Sequence, residues 1–160
     1  MNDDRRERGA WGLLRLDRQL CFSLYAASRL MTRAYQPLLA PLGLTYPQYI
    51  VLLVLWEDAP CTVSHIGERS LLNSNTLTPL LKRLEQGGWV TRTRSACDER
   101  TVEIGLTRAG AALERRCAHV PRRLSKAIAF PASQVVPLKN GLDRLIAALR
   151  EAPGGEEDEG

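Results

Sequence analysis

From Leu13 to about Leu39, apolar residues recur at Leu16, Leu20, Leu24, Ala27, Met31, Ala34 and Leu38. Steps of three and four place them on one face of a long amphipathic helix. That helix is expected to end near Pro41, with Gly43 in the loop, unless Pro37 bends or ends it a turn earlier. Thr45 reads as an N-cap with Pro47 in the first turn of a second helix reaching about Glu57. Its run Ile50 to Leu55 is apolar nearly all round, which suits a core helix or a buried strand, and the Thr-Tyr-Pro start favours the helix. Thr62 can cap a short helix that packs Val63 and Ile66 inward. A turn at Leu71-Leu72 leads to Asn73-Ser74, which can cap a helix over Asn75 to Gln86. That segment buries Leu77, Leu80, Leu81 and Leu84 and leaves Ser74, Asn75, Thr76, Thr78, Lys82 and Arg83 outside. Gly87-Gly88 stops it.

After the glycines the period falls to two. Trp89 to Arg94 and Thr101 to Leu106 predict two strands of a hairpin around the polar loop Ser95 to Arg100. Thr107 caps the next helix. The spacing Leu113, Cys117, Val120, Leu124, Ile128 carries that helix across Pro121, where a kink is expected. A final helix spans about Ser133 to Arg150, with Leu138, Leu142, Leu145, Ile146 and Leu149 on one side. The fold class is mainly α with a small β-hairpin wing.

Charge sharpens the picture. The last ten residues hold five acids and no Lys or Arg, and without them the formal charge rises from +4 to +9. A basic body points to a polyanion, nucleic acid before membrane. The acidic tail and the charged start of the chain are expected to be disordered. No signal peptide or membrane-length apolar run is read. Cys21, Cys61, Cys97 and Cys117 are scattered, with no C-x-x-C pair, which suits a reducing cytoplasm. Cys61 with His65, and Cys117 with His119, lack further partners at ligand spacing, so neither a metal nor a cofactor is expected.

Two short helices, a tight turn and a hairpin make a winged helix-turn-helix, whose second helix fits the major groove of double-stranded DNA. Lys82, Arg83, Arg92, Arg94 and Arg100 would meet phosphates, and an arginine at the hairpin tip can enter the minor groove. The bland alternative is an amphipathic helix with a solvated face beside a surface hairpin. The Gly87-Gly88 stop and the arginine-rich hairpin weigh against it.

Cys21 and Tyr35 are fourteen residues apart. On one straight helix that is roughly 21 Å, out of reach. They could meet if a second copy packed its first helix antiparallel.

Thr76-Leu77-Thr78-Pro79-Leu80-Leu81-Lys82-Arg83-Leu84-Glu85, followed by Asp98-Glu99-Arg100, resembles the MarR family of winged-helix repressors. Leu16 to Phe22 and Leu42 to Tyr49 narrow the resemblance to the organic hydroperoxide resistance regulators. The resemblance covers about Leu16 to Gly110 and implies a MarR-like homodimer built by its N- and C-terminal helices. Together with the charge pattern, it leads to a division into a disordered arm (1–12), a dimerisation and sensor helix (13–45), a DNA-binding region (46–107), C-terminal dimerisation helices (108–150) and a disordered acidic tail (151–160). It places Cys21 on the peroxide-sensing cysteine, Tyr35 and Tyr46 on tyrosines that hydrogen-bond it from the other subunit, and Tyr25 on a further tyrosine nearby. It also sets Pro79 in the DNA-reading helix, Asp98 and Arg100 in the wing motif, and Cys117 as a candidate resolving thiol.

The implied function is a non-enzymatic repressor of a pseudo-palindromic operator, released when an organic hydroperoxide oxidises Cys21. Peroxides react with thiolate, so such a sensor needs hydroxyl donors and access. Apolar surroundings such as Phe22 and Leu24 would favour an organic peroxide. The alternatives are a MarR-type regulator released by a phenolic or drug-like ligand, and a thiol peroxidase. For Cys117 the competing reading is a core residue on the Leu113 and Val120 face.

Overall fold

The computed structural model describes residues 14–94 and 101–152, and its elements follow the hydrophobic pattern with three departures. The chain enters through a 3-10 turn at Leu16–Arg18, after which Gln19 is extended (φ −87°, ψ 116°). The first helix, α1, therefore runs Leu20–Leu39 instead of starting at Leu13. The apolar spacing continued through Leu16, but a spacing alone does not record a break in the backbone. Pro37 lies inside α1, and the helix continues two residues beyond it. The proline withholds a hydrogen bond from the Arg33 carbonyl without stopping the helix. Gly43, at φ 72°, makes the left-handed turn that an L side chain would resist.

The second helix, α2, spans Tyr46–Asp58. Its entry is fixed by a capping box in which the Thr45 N–H donates to Gln48 Oε1 at 2.8 Å. Tyr49, Val51, Leu52, Val54 and Leu55 are buried, while Leu53 is 40% exposed. Around α2 lie Leu39, Leu44, Ile66, Leu77, Leu80, Leu81, Leu84, Val90, Ile104, Leu113 and Val120, one continuous apolar core. Asp58 ends the helix and anchors the next one: its Oδ2 accepts from Arg69 Nη1 at 2.9 Å and lies 2.7 Å from His65 Nε2.

The second departure is a short strand, β1 (Cys61–Thr62), too brief to show in a sequence pattern. Helix α3 (Val63–Ser70) comes next, with Thr62 Oγ1 accepting from the His65 N–H at 3.1 Å. Leu71 turns the chain at φ 56°, and α4 (Ser74–Gln86) begins behind Asn73, whose Oδ1 accepts from the Thr76 N–H at 2.9 Å. Strands β2 (Val90–Arg94) and β3 (Val102–Leu106) pair antiparallel from Val90 opposite Leu106 to Arg94 opposite Val102. β1 adds to the other edge of β3, giving the order β1-β3-β2.

The third departure concerns the expected kink. The apolar face does continue, but as two helices, α5 (Arg108–Cys117) and α6 (Val120–Ile128), separated by a turn at Ala118-His119. Pro121 is the second residue of α6, where a missing N–H costs nothing. Helix α7 (Ala132–Glu151) closes the described chain. The chain divides into two compact units, Met1–Leu124 and Ser125–Gly160. In the second, Val135, Val136, Leu138, Ile146 and Leu149 of α7 are exposed.

The base of the wing is the tightest junction. Thr107 Oγ1 donates to the Gly88 carbonyl at 2.6 Å and accepts from the Gly110 N–H at 2.9 Å, capping α5. Gly110 comes so close to the Trp89 carbonyl that a Cβ would stand 1.9 Å from its oxygen. Only glycine fits without moving backbone. Gly110→Ala is expected to cost on the order of 3 kcal/mol by forcing α5 off the wing. A lowered urea midpoint would show this, and an unchanged midpoint would mean the junction is loose.

Candidate sensor site and nucleic-acid interface

Cys21 is the second residue of α1, within the turn whose backbone N–H groups lack intrahelical partners. It is exposed. Tyr25, one turn on, is 57% exposed; its ring lies 6.5 Å from that of Phe22, and the Arg29 guanidinium sits 5.5 Å from its centroid. Beside them Leu20, Leu30 and Met31 are exposed as well. The face read as the buried side of a long helix is therefore open along much of α1 in the single chain.

The other two candidate tyrosines lie elsewhere. Tyr35, in the penultimate turn of α1, stacks on Tyr46 at the start of α2 with ring centroids 4.5 Å apart. Tyr49 stands 5.8 Å from Tyr35 and meets Trp56 edge-on at 6.2 Å. Burial raises the pKa of Tyr35 above the usual phenolic value, the neighbouring Tyr46 adding to it. Burial does the same for Tyr46, and Tyr49 is pushed up to about 12, by burial first and then by Tyr35. These hydroxyls remain protonated, and hence donors, at neutral pH. Cys21 and the Tyr35–Tyr46 pair occupy opposite ends of α1, roughly 21 Å apart at ~1.5 Å per residue.

The remaining cysteines differ in kind. Cys117 ends α5 inside the core at 2% exposure, and burial raises its pKa despite the opposing charge of Arg116. Cys61, in β1, is half-buried and also shifted up, by burial and then by Asp58. Cys97, Asp98 and Arg100 lie outside the described residues. Among the described residues no group of His, Cys, Asp and Glu is arranged to hold a metal. Among the described residues no single helix is long and apolar enough to cross a membrane.

The helix-turn-helix is α3, Leu71-Leu72 and α4. Leu77, Leu80, Leu81 and Leu84 are buried, and Ser74, Asn75, Thr76, Thr78, Pro79, Lys82 and Arg83 are exposed, as the sequence pattern requires. Arg92 and Arg94 are exposed on β2. Among the described residues, Lys82, Arg83, Arg92 and Arg94 have no carboxylate partner, whereas Arg69 of α3 is held by both Glu57 and Asp58. The unpaired cations thus sit on the outer face of α4 and the wing, and the paired one faces α2.

Three features escaped the sequence reading. Tyr49 belongs to the aromatic stack, and its place two residues beyond Pro47 on a helix already read could have suggested it. The Asp58–His65–Arg69 cluster joins residues across two elements, for which no spacing rule exists. Arg29 and Arg33 line a cleft with Tyr46, which becomes visible only once α1 and α2 are folded together.

Comparison with known proteins agrees with this architecture. The family model for the transcriptional regulators SarA/Rot matches residues 33–115. The organic hydroperoxide resistance transcriptional regulator of Bacillus subtilis (strain 168) is 46% identical over 138 residues, 86% of this chain and 94% of that protein. Among solved structures, reduced AbfR bound to DNA superposes with a TM-score of 0.72 at 41% identity, covering 88% of this chain and 98% of that one. Overoxidized AbfR bound to DNA gives 0.70 at 41% identity, covering 86% and 97%; AbfR is a protein of Staphylococcus epidermidis. The chain belongs to the MarR family of winged-helix transcriptional regulators, in the branch of the organic hydroperoxide resistance regulators.

Proposed function

We propose that this protein is a homodimeric, DNA-binding repressor that senses organic hydroperoxides through Cys21 and then leaves its operator. The observation that carries the proposal is the split site: an exposed thiol at one end of α1, and protonated tyrosine donors at the other. A second copy packed antiparallel would bring each thiol to the other's tyrosines. The exposed apolar residues of α1 and α7 supply surface for such packing. The names of the relatives support the same reading: one is a hydroperoxide resistance regulator, and the other was captured on DNA in reduced and overoxidized forms. A cytoplasmic location accords with this role.

In the reduced dimer, Tyr35 and Tyr46 would donate to the sulfur and favour its anion, beside the positive end of α1. The thiolate attacks the terminal peroxide oxygen. The O–O bond breaks, an S–O bond forms, and sulfur is oxidised by two electrons to the sulfenic acid. The alkoxide leaves and takes a proton from solvent to become the alcohol. The sulfenic acid cannot accept the tyrosine hydrogen bonds as the thiolate did, and it condenses with a thiol, releasing water. Burial of Cys117 and the upward shift of its pKa favour a small cellular thiol over Cys117 in that role. The chemistry is stoichiometric signalling, not catalysis. On DNA, paired α4 helices would enter major grooves about 34–36 Å apart, and a shift at the helical seam would spoil that spacing.

In a gel shift on the protein's own upstream DNA, cumene hydroperoxide should release wild type, while Cys21→Ser binds and stays bound. Release of the mutant would sink the proposal. Removing one of Lys82, Arg83, Arg92 or Arg94 should reduce the slope of log affinity against log salt by about 0.9 if that side chain meets a phosphate. In native alkylation analysed by mass spectrometry, Cys21 should label while Cys117 labels only on unfolding. Early labelling of Cys117 would restore it as a resolving thiol.

A further inference from the structure

Tyr46, Tyr49, Leu53 and Trp56 follow one another at steps of three and four, so they share one edge of α2. Tyr49 is buried midway, its ring centroid 5.8 Å from that of Tyr35 and 6.2 Å from that of Trp56. Trp56, in the last turn of α2, donates its Nε1–H to the Gly110 carbonyl at 3.0 Å. Gly110 lies in the first turn of α5, where a Cβ would collide with the Trp89 carbonyl. One indole therefore meets the tyrosine cluster with its ring and the base of the wing with its N–H.

Two observations set this tie apart from ordinary packing. The first is that α5 does not need it. A helical carbonyl takes the N–H four residues on, so the Gly110 oxygen has the Glu114 N–H, and the indole is a second donor. The second is the space alongside. A cavity of about 250 Å³ has Tyr49, Leu53, Trp56, Cys117, Ala118 and Pro121 in its walls. A cavity of roughly 150 Å³ holds a benzene ring, so this one can admit a displaced phenol or indole. Close-packed interiors leave most side chains a single position. The Tyr49–Trp56 pair has room for another, and two discrete arrangements are what coupling between distant sites requires.

We propose that Trp56 is the positioning residue that couples the tyrosine cluster to the DNA-binding face. With the tyrosines seated, it holds Gly110 and the base of the wing. When the Tyr35–Tyr46 stack is disturbed, it moves toward the cavity and lets that junction go. That the disturbance is oxidation of Cys21 rests on the sensor reading above; the tie from tyrosines to wing does not. Trp56 acts through Tyr49 and Gly110, not on the sulfur. Its effect is on the ratio of DNA affinities in the two states of the switch, the quantity that defines coupling. Trp56→Phe keeps a ring beside Tyr49 and removes the N–H. Ala118→Leu keeps the N–H and narrows the cavity. The first variant is fixed in the released arrangement and the second in the held one, so they err in opposite directions.

The test uses the full-length protein in two arms. The first needs no peroxide: DNA affinity of the reduced protein is measured for Tyr35→Leu, Trp56→Phe and the double variant. The loss caused by Tyr35→Leu should shrink about fivefold or more once residue 56 is Phe, the low end of measured couplings between sites. Losses that simply multiply overturn the proposal. In the second arm, Cys21 oxidation by cumene hydroperoxide is timed by mass spectrometry, and DNA affinity is measured before and after. Trp56→Phe should oxidise at the wild-type rate and bind DNA weakly in both states, its ratio of reduced to oxidised affinity falling roughly tenfold. An unchanged ratio overturns the proposal, and so does slowed oxidation, which would put Trp56 in the sensor pocket instead. Ala118→Leu should bind tightly in both states, and it decides the matter alone if Trp56→Phe fails to fold; release of Ala118→Leu like wild type overturns the movement. Should the first arm show the coupling while peroxide leaves wild-type Cys21 unoxidised, the tie through Trp56 stands and the sensor reading fails.

Discussion

The approach of Gly110 to the Trp89 carbonyl is the constraint on which the rest of the first unit depends. It is a contact between backbones, so no side-chain rotation can relax it. Thr107 secures it from one side by bonding Gly88, just past the end of α4. Trp56 secures it from the other, its Nε1–H donating to the Gly110 carbonyl at 3.0 Å. Helix α2, helix α5, the base of the wing and the end of α4 are thereby fixed to one point. Trp56 in turn meets Tyr49, and Tyr49 meets Tyr35. Packed rings and three hydrogen bonds (Trp56 to Gly110, Gly110 to Thr107, Thr107 to Gly88) therefore run without interruption from the penultimate turn of α1 to the end of the helix that carries the exposed polar face. A two-state rearrangement at the tyrosines has a stiff medium through which to act, which is the physical requirement for coupling distant sites.

The distribution of charge separates holding from binding. Arg69 and His65 converge on Asp58 and pin α3 against α2, and the His65 hydrogen bond holds the Asp58 carboxyl below the usual carboxylate range. The cations of α4 and β2 are exposed and, among the described residues, have no carboxylate partner. An exposed, paired arginine is a modest structural element, worth little on a wet surface. An unpaired one with its neighbours of like sign raises the potential at that surface and favours whatever anion can approach it. The same sequence thus uses one residue type for two tasks, and the presence of an acid within reach decides which.

Much of this was legible in the chain. Helical periodicity located α3 through α5 and the leucine face of α4, because each has one side against a continuous core, whereas α2, apolar nearly all round, was located by its Thr45 cap and Pro47. Thr45, Thr62, Asn73 and Thr107 all begin helices for the reason their side chains suggest, an oxygen facing a free N–H or, at Thr45, a capping box. The misreadings share a cause as well. At Gln19 and at Ala118-His119 the apolar spacing continues while the backbone does not, so the pattern was true of the face and false of the helix. β1 was invisible because two residues carry no period. The tyrosine stack could be approached from resemblance for Tyr35 and Tyr46, but its cohesion with Tyr49 and Trp56 is a property of two helices meeting. The arginine cleft was hidden for the same reason.

The buried tyrosines have one more effect. Phenols left in water begin to lose their protons near pH 10, and a donor that loses its proton becomes a repelling charge. Desolvation moves Tyr35, Tyr46 and Tyr49 further from that point. Alkaline drift in the surroundings therefore reaches these donors later than it would reach phenols in water. The donor half of a switch built on these hydroxyls tolerates alkalinity that would silence exposed phenols.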